Sequence, residues 1–572
     1  MFSVLRPLES FQGYGGILRT LCTHLTSYQG NLCIAKYHSP RTYALNDYRH
    51  KGYNNSMVNL LSNTGLRLIT LLGKYSKNNV CIILLILALP TAQCELVIMS
   101  GPANEEQDDT KMEDLANAAI AAALNEGIDF VDIRLEDTQT TIIEINDGVT
   151  KRSIAAHLKG AGIRAFVDGS WGFSQTTDLT RRGMKKAGTS VAKLALATRE
   201  KVSAHFEIDG TSNRARAPLS VKLPFSDIHF EDKINFAKDI DDQAQSYDER
   251  IVNTRTIYGD LETELYVANS LGTSIYTENS LPRIISSLTA KDGKNRRRAY
   301  NSIGVRSGFE FTESEAAQSI GLSTAELVIN LLSSEAAPGG VSDVVMDPVL
   351  NGVMVHEAFG HACEADNWPA HTTVLEDKVG KAVGPEQLNI TDNPTLSGKR
   401  GSFDFDWEGT PAKKRTLVKD GVLTELLHDL ETSSRLDMSA NGAARAQSFM
   451  HPPIPRMSNT YMEPGDWSVD ELIADTESGI LLCRFNYGYT EPAKGQFMFQ
   501  ASHGYLIENG DVGQMVRDVS IAGHILDILA KVDGIASDFE LDAGNCGKGG
   551  QVVPDMSGGP HARIRNVPVG GM

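Results

Sequence analysis

Cysteine is scarce in this chain: seven residues in 572, four of them (Cys22, Cys33, Cys81 and Cys94) within the first 98 positions. The three that remain, Cys363, Cys483 and Cys546, are an odd and scattered set, which excludes a disulfide framework and suits a reducing compartment, the cytoplasm. Positive charge is also in deficit. Lys and Arg number 54 against 72 Asp and Glu, a formal net charge of −18, which argues against binding nucleic acid through the overall field. No apolar run reaches the length of a membrane span. The longest, Val80 to Leu89, covers ten residues between Lys77 and Pro90. It has the look of a signal-peptide core but lies too deep for one. The remaining composition, 41% hydrophobic and 22% charged, is that of a folded globular protein long enough for two or three domains.

Residues 1–98 carry a charge of +6 and the rest −24, and the first stretch shows no helical or strand period. It reads as an atypical leader, a misassigned start or a disordered segment, with Met99 or Met112 as the beginning of the ordered chain; a membrane anchor or secretion signal is the alternative. From Met112 a short helix with Ala116, Ile120, Ala123 and Leu124 on one side stops at Gly127. Alternating Val131, Ile133 and Leu135, then Ile143 and Ile145, lead into the hairpin turn Asp147-Gly148. A strand over residues 162–167 follows. A helix is expected over 227–247, with strands over 251–258 and 262–268. Thr312-x-x-Glu315 has the pattern of a capping box opening a helix through Ser333. The basic cluster Lys291 to Arg298 surrounds Asp292-Gly293 and reads as a solvated hairpin tip. Ala337-Pro-Gly-Gly340 breaks the chain. The fold class is therefore α+β: an N-terminal region (112–336) with helices on an antiparallel sheet, then a mainly β C-terminal domain (341–572).

That domain opens with a strand, Val341 to Met346, and then Asp347, Pro348 and an apolar helical side (Val349, Leu350, Val353, Met354), an N-cap, a first-turn proline and a helix. The helix runs into His356-Glu-Ala-Phe-Gly-His361. Two imidazoles can bind a zinc-type cation, and a carboxylate beside them can take a proton from water. The common His-Glu-x-x-His spacing places both histidines on one helical face. Here they are five apart, about 140° around an ideal helix, so the helix must distort, and Gly360 permits that. A third ligand is needed. Cys363, Glu364 and Asp366 lie close in sequence, and Cys546 lies far off in the glycine-rich segment Gly544 to Gly550. Spacing does not choose among them.

The chain resembles the TldD/PmbA peptidases over roughly residues 112–572. The likeness is carried by His356 to His361, by Gly401-Ser-Phe-Asp-Phe-Asp-Trp-Glu-Gly-Thr410, by His451-Pro-Pro-Ile-Pro-Arg-Met-Ser-Asn-Thr-Tyr461, by Gly504 to Gly510, and by Cys546-Gly-Lys-Gly-Gly-Gln551. The resemblance implies a TldD-type zinc metallopeptidase with one Zn²⁺ per chain, held by His356, His361 and Cys546, with Glu357 as general base. It implies unfolded peptide substrates and a homodimer, or a heterodimer with a PmbA-type sister subunit, with no nucleic acid and no membrane involved. Arg456, Asn459 and Thr460, in one of the shared blocks, become candidates for holding substrate backbone. His503 departs from the family pattern and receives no catalytic role. The competing reading is a non-catalytic assembly subunit or regulator whose metal is structural.

Overall fold

In the computed structural model, residues 111–572 are described except Ser203, Thr211 and Met572. Of residues 1–110, the backbone of five strands and the first turn and a half of a helix is described. Those strands form an antiparallel sheet ordered Leu25–Gln29, Leu32–His38, Gln93–Met99, Asn79–Ala88, Leu66–Ser76. The apolar run from Val80 supplies one of them, where no strand period was expected: an unbroken apolar run carries no alternation to read. The choice of start residue and the reading of 1–98 as a leader fall largely outside the described residues.

Lys111–Met572 is a second compact unit. Its first sheet is ordered Asn295–Gly304, Arg283–Asp292, Ile251–Asn269, Phe130–Asn146, Val149–Val167, Ser170–Thr176. One face is apolar. Val131, Ile133 and Leu135 pack under the helices Glu105–Leu124 and Arg181–Thr198, and Ile143 and Ile145 under Phe230–Ser246 and Glu315–Ser333. The Asp147-Gly148 hairpin is present with both residues at positive φ, 51° and 71°, as a two-residue turn requires. Three expectations are corrected. The strands over 251–258 and 262–268 are one strand, Ile251–Asn269, and that over 162–167 is the end of Val149–Val167. The helix before Ser333 is capped by Ser314, whose hydroxyl accepts from Ala317 N at 3.3 Å, and Thr312 lies in the preceding 3₁₀ turn. The helix Arg181–Thr198 escaped notice, because Gly183 and Gly188 interrupt its apolar face. Gly188 is needed there, since a Cβ would lie 2.2 Å from the carbonyl of Ala119.

Two large sheets and the two-stranded pair Ala444–Arg445 with Ile454–Pro455 make up the β structure of the described C-terminal part. In the larger, Gly340–Met346 lies between Ser478–Glu491 and Ala562–Gly571. The other is ordered Val422–Leu423, Arg415–Lys419, Ile390–Asp392, Asn459–Met462, Gln551–Gly559, Glu540–Lys548. The motif helix Pro348–Val353 runs between them in the largest apolar core, with Leu350, Met354 and Phe359 packed among Leu417, Leu482 and Val553. It approaches the strand Gln551–Gly559 closely: a Cβ on Gly352 would lie 2.1 Å from Gly558 N. No helix among the described residues is long and apolar enough to cross a membrane.

Buried charge joins the N-terminal sheet to the C-terminal part. Arg164 donates to both oxygens of Asp132 on the neighbouring strand and, at 2.5 Å, to Glu408 Oε1, all three being buried. Beside them the Phe449 ring lies on Gly160, and the Phe449 amide donates to Glu136. Removing one member of such a pair leaves uncompensated charge in a dry interior. Arg164→Leu is expected to lose about 3–5 kcal/mol of stability, seen as a lower urea midpoint.

His428 is buried with neither ring nitrogen hydrogen-bonded among the described residues, and burial, aided by nearby Lys413, brings its pKa from 6.5 down to about 4. The folded state therefore binds this proton less readily than the unfolded chain. The resulting stability is full above pH 6.5 and is lost as the pH falls from there through about 4. His428→Leu should flatten this acid limb. Urea midpoints at pH 7 and pH 4.5 should differ less in the variant than in the wild type.

Candidate metal centre

The motif helix starts as its sequence dictates. Asp347 Oδ1 accepts from Leu350 N at 2.8 Å, and Pro348 fills the first turn, where its missing N–H costs nothing. From Met354 to Gly360 the helix widens to π form, and His361 N–H bonds to the carbonyl of His356, five residues back. That hydrogen bond answers the spacing problem. In a π turn residues five apart lie nearly above one another, so both imidazoles face the same way. Their ring centroids are 5.3 Å apart with planes at 88°. Gly360 itself has ordinary helical dihedrals, φ −59° and ψ −43°. Glycine is required there for space, because a Cβ would lie 2.1 Å from Met457 Sδ.

Cys546 arrives from the strand Glu540–Lys548, paired with Gln551–Gly559 through the glycine turn Gly549-Gly550. Its Sγ lies 3.4 Å from His361 Nε2. One ligand atom from each of His356, His361 and Cys546 lies within 4.8 Å of the others, and the residues are only 3%, 7% and 2% exposed. Burial opposes ionisation of the thiol, yet His356 and His361 outweigh it and bring the pKa down to about 6. A thiolate and two imidazoles converging on one point form the donor set that a zinc-type cation takes.

The groups behind the trio orient it. Glu364 Oε2 accepts from His361 Nδ1 at 2.9 Å, which leaves Nε2 facing Cys546. Burial alone would keep Glu364 protonated, but His361, Lys548 and Arg456 hold its pKa at about 2. Lys548 bridges Glu364 and Asp366, at 3.1 and 2.6 Å. Asp555 Oδ2 stands 3.4 Å from His356 Nδ1, and Gly544 leaves room for that carboxylate. Glu357, by contrast, is open to solvent. Its side chain is 38% exposed, with Oε2 3.8 Å from His361 Nε2. It lines a cleft of about 290 Å³ that also takes in His356, Arg283, Tyr300, Arg484 and Asp542.

The other candidates named from the sequence stand elsewhere in the fold. Cys363 is fully buried in the apolar core, its thiol pushed up by burial, and Glu364 and Asp366 support the site from behind. Arg456, Asn459 and Thr460, expected to face substrate backbone, are fully buried and do not line the cleft. Arg456 Nη2 donates to the carbonyl of Cys546 at 2.5 Å. Asn459 is bonded to Gly401, Asn393 and Ser402, and Thr460 to Asp392. Asn459 and Thr460 thus spend their side chains inside the protein, whereas Arg456 Nε and Nη1 have no hydrogen-bond partner among the described residues, Nε standing 3.9 Å from Glu364 Oε1. Sequence reasoning missed Asp555, Lys548 and the cleft residues Arg283, Tyr300, Arg484 and Asp542. The only signal for the first two was their place on the hairpin that carries Cys546.

Models of the PmbA/TldA metallopeptidase domains match this sequence in order: domain 1 over residues 131–196, the central domain over 223–332 and the C-terminal domain over 339–571. The chain belongs to the PmbA/TldD metallopeptidase family. Among the relatives of this PmbA/TldD chain is a metalloprotease of Methanothermobacter thermautotrophicus, 36% identical over 453 residues, 79% of this chain and 98% of the relative. A zinc metalloprotease TldD homolog of Saccharolobus solfataricus is 27% identical over 78% of this chain and 97% of its own length. The crystal structure of TldE from Thermococcus kodakarensis shares the fold, with a TM-score of 0.65 at 16% identity, covering 81% of this chain and all of that one.

The fit of Gly360 under Met457 can be measured. Gly360→Ala is expected to cost about 1–3 kcal/mol through overpacking, and Met457→Ala in the same chain should recover part of that loss. A double-mutant cycle on thermal melting would show coupling, whereas additive effects would place the strain elsewhere.

Proposed function

We propose that this chain is a zinc-dependent peptidase acting on unfolded peptides, with His356, His361 and Cys546 as the metal ligands and Glu357 as general base. The observation that carries the reading is the pairing of a buried His/His/Cys trio with a solvent-open glutamate, Glu357 and the trio's His356 lining one cleft. When bound, zinc supplies Lewis acidity toward water and the scissile carbonyl. Glu357 takes a proton from the attacking water and returns it to the amine that leaves. Glu364 keeps His361 in the tautomer that presents Nε2, and Asp555 faces the ring of His356. The name of the Saccharolobus relative supports zinc as the metal. A cleft of about 290 Å³ suits an extended peptide segment and not a folded domain, which supports unfolded substrates.

A metal with a purely structural task is the competing reading. Closed structural sites have four protein ligands and no need of a base, whereas three ligands and an adjoining open carboxylate suit hydrolysis. We assign the working assembly as a homodimer, or a heterodimer with a PmbA-type sister subunit, a reading supported by the shared fold of TldE. The three described cysteines are free, consistent with a reducing cytoplasm, where the Cys546 thiolate would persist.

Two substitutions separate the roles. Glu357→Gln should retain zinc and fold while losing about 10²–10⁴-fold in turnover on an unfolded peptide. Undiminished turnover would remove Glu357 from the chemistry. Cys546→Ala should lose zinc, activity and melting temperature together, because ligands assembled by folding make metal binding part of folding energy. Cys363→Ala should change none of these. Full zinc occupancy in purified Cys546→Ala, measured by elemental analysis, would reject the ligand set.

A further inference from the structure

One cationic side chain in the cleft is held in an unusual backbone conformation and makes no side-chain hydrogen bond among the described residues. Arg484 lies in the strand Ser478–Glu491 at φ +54°, a region where residues other than glycine are uncommon. Just beyond it the register with the strand Gln496–Glu508 slips between Phe485 and Tyr487. Bulges of this kind redirect side chains beside functional sites. The distortion is anchored from the motif helix. Asp347, which caps that helix through Oδ1, accepts the Arg484 amide with Oδ2 at 2.8 Å. One carboxylate therefore fixes both the start of the metal-motif helix and the backbone that carries this guanidinium.

The side chain lines the same cleft as His356 and Glu357 and is 30% exposed. Among the described residues its guanidinium makes no hydrogen bond, and the nearest carboxylate oxygen, Asp542 Oδ1, is 4.0 Å away. Arg283, on the same cleft wall, differs in this respect. Its Nη2 is spent on Ser302 Oγ and the carbonyl of Ala543, at 3.1 and 3.0 Å. Burial pushes the Asp542 carboxyl up to about 6 against the pull of Arg484, and at 4.0 Å the two form an ion pair without a hydrogen bond, which leaves the donors of the fork open to a closer acceptor. Arg283 and, behind it, Arg400 add positive charge to this wall, and burial together with Arg283 lowers the pKa of Arg400 to about 10.

An arginine presenting a planar fork of donors to a cleft, with one long ion pair and no hydrogen-bonded partner among the described residues, matches a carboxylate. We propose that Arg484 is a specificity-determining residue that binds a substrate carboxylate, either an acidic side chain near the scissile bond or the free C-terminus of the peptide. The proposal rests on the peptidase reading above for its placement, and its test can fail independently of that reading.

The probes are acetylated, otherwise neutral unstructured peptides in which one Glu or Gln is scanned along the sequence, each made with a C-terminal acid and with a C-terminal amide. With the zinc-loaded full chain, the carboxylate-bearing member of one matched pair is expected to have a kcat/KM about 10- to 100-fold higher, the range of a charge-assisted hydrogen bond. A Glu/Gln preference at one position assigns the side-chain source, and an acid/amide preference assigns the C-terminus. In Arg484→Gln the ratio should fall to about 1. In Arg484→Lys, which keeps the charge but loses the fork, it should fall only in part. Absence of any carboxylate preference in the wild type, or its survival in Arg484→Gln, overturns the proposal. If no peptide is cleaved, the peptidase reading fails, and the same pairs are then compared by calorimetric binding. A binding preference lost in Arg484→Gln supports Arg484 as the carboxylate site, and equal binding of both members rejects it.

Discussion

A single backbone hydrogen bond, from His361 N–H to the carbonyl of His356, decides whether the two motif histidines can face one point. In regular α-helix the two histidines would diverge by more than a third of a turn. Shifting the bond by one residue brings them onto one face. The packing around the helix holds that shift in place. Met457 occupies the space that a side chain at position 360 would need, and Gly352 brings the helix against the backbone of Gly558. Asp347 fixes where the helix begins. A π turn is a poor structure in isolation, and here the core that surrounds it leaves little room for the regular alternative.

The second constraint is electrostatic. Carboxylates and guanidiniums are buried throughout the C-terminal part, and each set has its own structural task. Asp392 takes hydrogen bonds from Arg415, Ser458 and Thr460 and so fixes the segment that carries Met457 under the motif helix. Glu364 joins His361 to Lys548 and thereby ties the motif to the strand of Cys546. Arg164 and Glu408 tie the N-terminal sheet to the same body. Charges removed from water are costly unless paired and hydrogen-bonded. These networks therefore contribute as much to defining one arrangement as to stability.

The sequence made some of this readable and hid the rest for identifiable reasons. The Asp347 cap, the following proline and the misfit of a five-residue histidine spacing all announced a distorted helix, because each is a local property. The Asp147-Gly148 hairpin was equally local. The long strands Val149–Val167 and Ile251–Asn269 were read as shorter pieces, the first because its leading eleven residues are exposed or half-buried on both faces, the second because Gly259 and a buried Asp260 paired with Lys233 interrupt the alternation. Gly360 was noticed for flexibility, although the reason for glycine is a neighbour 97 positions away in the chain, Met457. The polar stretch Ser458 to Thr460 looked like a binding surface because composition does not distinguish groups open to solvent from buried groups bonded within the protein. Asp555 and Arg484 belong to no motif. Their significance is a matter of which strands become neighbours.

The order of the strands also bears on synthesis by the ribosome. The histidines are translated well before Cys546, and the strand beside the one that leads to them, Ala562–Gly571, is later still. A nascent chain that has exposed His356 and His361 has neither the thiolate nor the sheet partner that holds Gly340–Met346 in place. The proposed ligand set is thus completed only when the distal strands emerge. A product truncated before the strand Glu540–Lys548 would carry both histidines without Cys546, so the buried trio can form only in a chain translated past that strand.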